Sequence, residues 1–118
     1  PVAATGRLLA RQGLTVDDID LFEIHEAFAS TVLATLKAWQ DEDYCRERGL
    51  DGAIGTIDRS RLNVAGSSLA VGHPFAATGA RIVPTLAKLL HERGPGSRGL
   101  VSVCAAGGQG LVAILEAV

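Results

Sequence analysis

Methionine is absent, cysteine occurs twice, and aromatic residues make up only 4% of the chain. Two cysteines, Cys45 and Cys104, cannot build the disulfide framework of a small secreted domain. A reducing compartment is therefore expected, the cytoplasm or, for a eukaryotic source, the mitochondrial matrix. A basic surplus is missing too: 11 Lys and Arg face 13 Asp and Glu, for a net charge of −2. Without that surplus, and without aromatics on which bases could stack, nucleic acid is not an expected partner. Every apolar run is broken by Gly, Arg or His well short of the ~20 residues of a membrane span. Nothing near Cys45 has metal-ligand spacing. Internal repeats, low-complexity tracts, linkers and a signal-peptide pattern are also lacking. A translated chain begins with Met, whereas residue 1 is Pro, so the chain is expected to be part of a longer protein.

What is present suits one globular unit. At 118 residues, 47% hydrophobic and 20% charged, the chain is neither disordered nor a coiled coil. A domain of this size hides roughly 65% of its unfolded surface, enough for a core without staples.

Glycine punctuates the elements. Residues 2–13 read as a short helix with Leu8 and Leu9 inward and Gly13 as its stop. Residues 15–18 read as a turn or helix start, and 20–25 (DLFEIH) as a short alternating strand. Helical spacing of Phe28, Val32, Leu36 and Trp39 predicts a helix over 26–43, with Glu26 near its positive end. The tail at 40–48 (QDEDYCRER) is charged, so Cys45 is expected to be a half-exposed structural thiol. Residues 49–61 read as loop. Helical period returns over 77–93, where Pro84 should kink the helix or move its start. Residues 100–104 and 111–118 read as strands around a tight turn at 105–110 (AAGGQG), with 111–115 apolar enough for a strand covered on both faces. The order implies an α/β layer closed by an antiparallel hairpin, with a first strand short of neighbours.

Three places carry chemistry: His25-Glu26 at a strand-to-helix junction, Gly72-His73-Pro74 on a small-residue loop, and Cys104 before a glycine-rich turn. An imidazole titrates near neutrality. Glycines let successive backbone N–H groups point into one concavity, as an oxyanion site requires. A thiol and an imidazole on two such turns suggest acyl chemistry by a Cys/His pair, if the turns meet.

Residues 25–29 (HEAFA), 63–79 (NVAGSSLAVGHPFAATG) and 104–110 (CAAGGQG), with the lead-in 20–23 (DLFE), resemble the C-terminal domain of the thiolases. The resemblance covers nearly the whole chain, with the motifs in family order. The HEAFA, GHPF and CAAGGQG wordings are similar to the thiolase subunit of fatty-acid trifunctional enzymes and to β-oxidation 3-ketoacyl-CoA thiolases. The implied fold is the C-terminal half of a five-layer α-β-α-β-α stack, one α-β-α unit with a mixed sheet ending in an antiparallel hairpin. The implied reaction is cleavage of a 3-ketoacyl-CoA by CoA into acetyl-CoA and a shortened acyl-CoA. His73 matches the histidine that activates the nucleophile and helps bind a thioester oxygen, and Cys104 the acid/base at the α-carbon. His25 takes the place of the usual Asn of an oxyanion hole. Phe28 matches the aromatic lining the substrate channel.

The N–H of Ala106 falls where the family has a Gly, and a backbone donor survives that change if φ stays negative. Ala76 replaces another usual Gly, and Pro84 adds a third departure, so local backbone geometry is where differences are expected. The acyl-carrying Cys of the family lies in its N-terminal domain, which this sequence does not resemble, and Cys45 lacks the surrounding motif. CoA and acyl-CoA are then substrates, with no resident cofactor. The implied partners are CoA thioesters, an N-terminal thiolase domain, further copies of the chain, and, in trifunctional-type members, a hydratase/dehydrogenase subunit, for which the charged stretch 40–61 offers a surface. Two other readings stay open: a self-contained hydrolase with Cys104 as nucleophile and His73 as base, and a non-catalytic thiolase-like or assembly module.

Overall fold

Apolar side chains alternate to opposite faces along the strands, and this sorts the chain into three layers. The computed structural model of the chain describes residues 1–118. Its sheet has the order β1-β2-β3. Strand β1 (Leu21–Ile24) runs parallel to β2 (Arg98–Ala105), which pairs antiparallel with β3 (Gln109–Glu116). The register sets Phe22 beside Leu100 and Leu100 beside Ile114. Asp20 fixes its start, because its carboxylate accepts the Arg98 N–H at 2.8 Å while its own N–H donates to the Arg98 carbonyl at 2.8 Å.

On one face lie α1 (Val2–Gln12) and α2 (Ala29–Gln40). Leu9, Val32, Leu36 and the fully buried Trp39 pack there against Phe22, Ile24 and Leu100. On the other face α5 (Thr78–Arg93) sets Ile82, Leu86 and Leu90 against Leu21 and Val101. That helix comes close: a Cβ at Gly99 would lie 2.7 Å from the Leu86 methyls. The α-β-α layering and the closing hairpin are those expected from the sequence. Helix α1 ends as expected on Gly13 in the left-handed conformation.

Several expectations are corrected. The helix expected over 26–43 is two: α2 begins only after the extended Phe28, and a break at Asp41 starts α3 (Glu42–Glu47), whose Tyr44 N–H the Asp41 carboxylate accepts at 2.9 Å. That break folds the charged tail back onto α2. Cys45 is consequently fully buried, not half-exposed, with its thiol donating to the Ala38 carbonyl at 3.2 Å. Pro84 does not move the start of α5, which begins at Thr78 and runs on through it, with Pro84 on the exposed side. The stretch 63–72 contains one helical turn, α4 (Ser68–Val71). Strand β3 is not covered on both faces: it is the sheet's edge, and Leu111 is 62% exposed. Its apolar run fits a strand whose cover lies outside these residues. Strand β1 has the single strand neighbour β2, supplemented by one bridge from Phe22 to Leu62.

Candidate active site

The C-terminal end of β1 and the hairpin after β2 open on one side of the sheet. The His25 N–H still donates to the Ser102 carbonyl at 2.8 Å, so the imidazole starts from a fixed ladder position. Asn63 completes the free edge of β1 like a piece of strand. Its side-chain amide accepts from the Ile24 N–H and donates to the Ile24 carbonyl, both at 2.9 Å. The same amide nitrogen donates to Glu26 Oε1 at 2.9 Å. Asn63 holds a left-handed φ of 48°, which Asn tolerates better than most residues.

Glu26 does not serve its own helix, as the sequence suggested. Its other carboxylate oxygen accepts the Leu69 N–H of α4 at 3.0 Å. The first motif therefore clamps the second. Past α4, Gly72 (φ 102°, ψ 168°) takes a conformation closed to side-chain-bearing residues and turns the chain into His73-Pro74. Ala76 lies at φ 67°, so an L residue holds a left-handed backbone where the resemblance has Gly.

The His73 and His25 rings stand 4.3 Å apart between centroids, and the Phe75 ring lies 5.0 Å from His73. Nδ1 of His73 bonds the Thr78 hydroxyl at the head of α5. His25, Phe28, His73, Phe75, Cys104 and Ala106 line a cavity of about 560 Å³. All five residues singled out from the sequence are thus brought together. Phe28 is 70% exposed and Phe75 86% exposed, at the mouth. The two-glycine turn at Gly107-Gly108 is left-handed at both positions, whereas φ of Ala106 is not positive, and the Ala106 N–H donates to no backbone carbonyl. It is a donor on the cavity that Cys104 also lines.

His25 is buried, and its protonation is held below the ordinary imidazole range. Burial is the main cause, the charges of His73 and Arg81 add to it, and Glu26 opposes. Its Nδ1 bonds Ser68 Oγ at 2.9 Å, and Arg81 Nη2 donates to the same oxygen at 2.9 Å, while Nε2 has no protein partner. Glu23, one strand position from Ile24, is buried with neither oxygen bonded. Burial lifts its carboxyl to about 7 against the pull of the Arg81 charge, with Glu26 adding to the rise.

Sequence reasoning did not single out Asn63, Ser68, Thr78, Arg81 or the burial of Glu23. Phe75 stood inside the GHPF wording but received no role. Ser68 looked like one more small residue in a small-residue loop, and nothing local marks a partner 43 residues away. These side chains can present N–H donors and a thiol to one oxygen-bearing, partly apolar ligand; no group of three or more His, Cys, Asp or Glu is placed to hold a metal ion.

Known proteins share this arrangement of chain. The "3-ketoacyl-CoA thiolase" of Alteromonas mediterranea is 47% identical over 117 residues, and that of Shewanella amazonensis 48%; each match covers 98% of this chain and 27% of the relative. Among solved structures, the Bacillus anthracis acetyl-CoA acetyltransferase superposes with a TM-score of 0.77 at 35% identity, and Acat5 thiolase from Ascaris suum in complex with coenzyme A with 0.77 at 34%. Both cover the whole chain, which spans 26% of each of those structures. The chain thus spans about a quarter of the length of the relatives it matches. The family described as "Thiolase, C-terminal domain" matches residues 1–117, and the chain belongs to the thiolase family.

Proposed function

We propose that this chain supplies the acid/base half of a 3-ketoacyl-CoA thiolase, an acyl-CoA:acetyl-CoA C-acyltransferase of fatty-acid β-oxidation. One arrangement carries the assignment: His25, His73, Cys104 and the Ala106 amide surround a single cavity of about 560 Å³ with aromatic side chains at its mouth. A cysteine from outside this chain, held as a thiolate by transfer of its proton to His73, attacks the 3-keto carbon and becomes acylated. The bond between carbons 2 and 3 breaks, and its electron pair passes to the enolate of acetyl-CoA. Cys104 delivers a proton to carbon 2 of that enolate, completing acetyl-CoA. The Cys104 thiolate then accepts the proton of the incoming CoA thiol, whose sulfur takes the acyl group and frees the first cysteine. Oxygen charge develops on the way, and donors already aimed at it are worth more in a water-poor cavity than in solution. His25, kept neutral by its burial, is suited to donate without adding a charge beside His73.

CoA enters this reading as substrate, with no resident cofactor and no metal. The exposed Leu69, Val71 and Leu111 are surfaces for an N-terminal thiolase domain to cover and for homo-oligomer contacts. The charged stretch 40–61 would meet a hydratase/dehydrogenase subunit in a trifunctional assembly. Both cysteines are unpaired, which suits the reducing cytoplasm or a mitochondrial matrix. No helix is long and apolar enough to cross a membrane.

The test is CoA-dependent cleavage of 3-ketoacyl-CoA by the full-length protein, with Cys104→Ala and His73→Ala. Each variant should lose at least about 100-fold in turnover, the scale of losing a positioned acid or donor. Full activity in both variants overturns the assignment. Mass spectrometry of acylated protein adds a second arm: a stable adduct on Cys104 itself would favour a Cys/His hydrolase, and thioester binding without turnover a non-catalytic module.

A further inference from the structure

We propose that Ser68 and Arg81 are positioning residues that fix the tautomer of His25, so that its Nε2–H, and not a lone pair, faces the cavity. The inference deepens the thiolase reading and rests on it only for the oxygen that the N–H would meet.

The argument is one of counting protons. A guanidinium can only donate. Arg81 Nη2 lies 2.9 Å from Ser68 Oγ and 3.4 Å from Ser67 Oγ, so the Ser68 oxygen is an acceptor toward Arg81. A hydroxyl has one proton to give, and the remaining partner of Ser68 Oγ is Nδ1 of His25 at 2.9 Å. Ser68 is itself buried, so a proton pointed elsewhere would find no acceptor among its bonded neighbours. The chain of donors therefore runs one way, from Arg81 to Ser68 to Nδ1. Nδ1 accepts, and a neutral imidazole must then carry its proton on Nε2.

That nitrogen is buried and has no partner in the protein, on a ring that lines the cavity beside His73. A donor at that nitrogen can meet an acceptor oxygen of a ligand in the cavity. The opposite tautomer would turn a lone pair toward the same oxygen and repel it. Burial first disfavours the charged ring, the His73 and Arg81 charges add to it, and Glu26 opposes. Arg81 from α5 and His73 from the loop after α4 both disfavour imidazolium, and Glu26 on its own strand end is engaged with Asn63 and Leu69. Glu23 lies two residues upstream on β1, buried and within the influence of Arg81. Cys104 is the remaining titratable group of the cavity. Ser68 thus acts through His25 and touches no substrate.

Neutron diffraction from deuterated crystals of the full-length protein reads the tautomer directly, independently of activity. The wild type should show deuterium on Nε2 of His25 and a bare Nδ1. Ser68→Ala should show a mixed or reversed tautomer, and Ser68→Thr, which keeps the hydroxyl, should restore the wild-type pattern. In parallel, Ser68→Ala should lower kcat about 10- to 100-fold with KM within about threefold, the scale of losing a partner that orients a functional imidazole. Deuterium on Nδ1 in the wild type overturns the proposal whatever the variants do. So does a loss of kcat in Ser68→Ala with the tautomer unchanged, since that marks a merely structural role. Failure of the thiolase reading looks different: the wild type would not cleave 3-ketoacyl-CoA, while the tautomer would still be as stated.

Discussion

Replacing Glu23 by Gln removes the one buried carboxyl that has no hydrogen-bond partner, and its effect has a calculable pH signature. Glu23 is 1% exposed on β1, beneath the head of α5, and burial lifts it from 4.5 to about 7. Since the folded value lies above the unfolded one, the native state holds the proton more tightly, and stability must fall as pH rises through the window between them. Below about 4.5 both states are protonated and there is no penalty. Above about 7 both are ionised and the penalty is constant. One pH unit is worth 1.36 kcal/mol, so the interval from 4.5 to about 7 corresponds to ~3 kcal/mol. Gln has nearly the same shape and never ionises. Its own unbonded amide adds an offset, but the offset does not vary with pH.

The advantage of Glu23→Gln over the wild type should therefore grow by ~1.4 kcal/mol per pH unit through that window and level off at ~3 kcal/mol. Hydrogen exchange of peptides covering β1 and β2, compared between the two proteins at each pH from 5 to 8, reads this within a larger chain, since intrinsic exchange rates cancel. The burial argument implies one further sign: Arg81 pulls the carboxyl down, so Arg81→Gln should push Glu23 still higher. A stability difference that stays flat between pH 5 and 8 would refute the reasoning. It would mean that Glu23 is ionised throughout and that the Arg81 charge, not desolvation, decides its state.

Two other substitutions test the backbone on which the site is hung. Ala76→Gly relieves an L residue at φ 67° and should stabilise the full-length protein by ~1 kcal/mol, read as a higher midpoint in thermal denaturation, with turnover retained. Asn63→Ala removes three side-chain hydrogen bonds, to the Ile24 N–H, the Ile24 carbonyl and Glu26, at a left-handed position. It should cost ~2–4 kcal/mol in urea denaturation and lower turnover as well, because the clamp between β1 and α4 is lost.

The layers were legible because they depend on short-range pattern. Val32, Leu36 and Trp39 recur at helical spacing, and the apolar 100–104 and 111–115 stretches flank a glycine turn. Burial followed where one face of an element was apolar. The errors arose where a polar group changed partner. Asp41 looked like part of a charged helix tail, yet its carboxylate caps α3 and turns Cys45 inward. Glu26 looked like a helix-dipole partner, yet it binds the Leu69 amide and leaves the start of α2 to an extended Phe28. In each case the competing hydrogen bond was available only after the chain had folded back. Strand β3 was misjudged for a different reason: apolar composition records that a strand will be covered, and not by which part of the protein.

The candidate site divides along the same line. Residues that carry reactive groups, His25, His73 and Cys104, announce themselves by type and by the glycines beside them. Residues that orient those groups do not, since Ser, Thr, Asn and Arg are common on any surface. Ser68, Arg81 and Asn63 acquire meaning only through distances of about 3 Å across tens of residues of chain. Orientation is nonetheless what separates an imidazole that donates from one that repels, with the same ring in the same place. With the proposed tautomer reversed, the cavity would keep every reactive residue named from the sequence and lose the Nε2 donor. The 2.9 Å bond from Arg81 Nη2 to Ser68, 13 residues away on the preceding helix, thus belongs to the geometry around the cavity as much as the motif residues do.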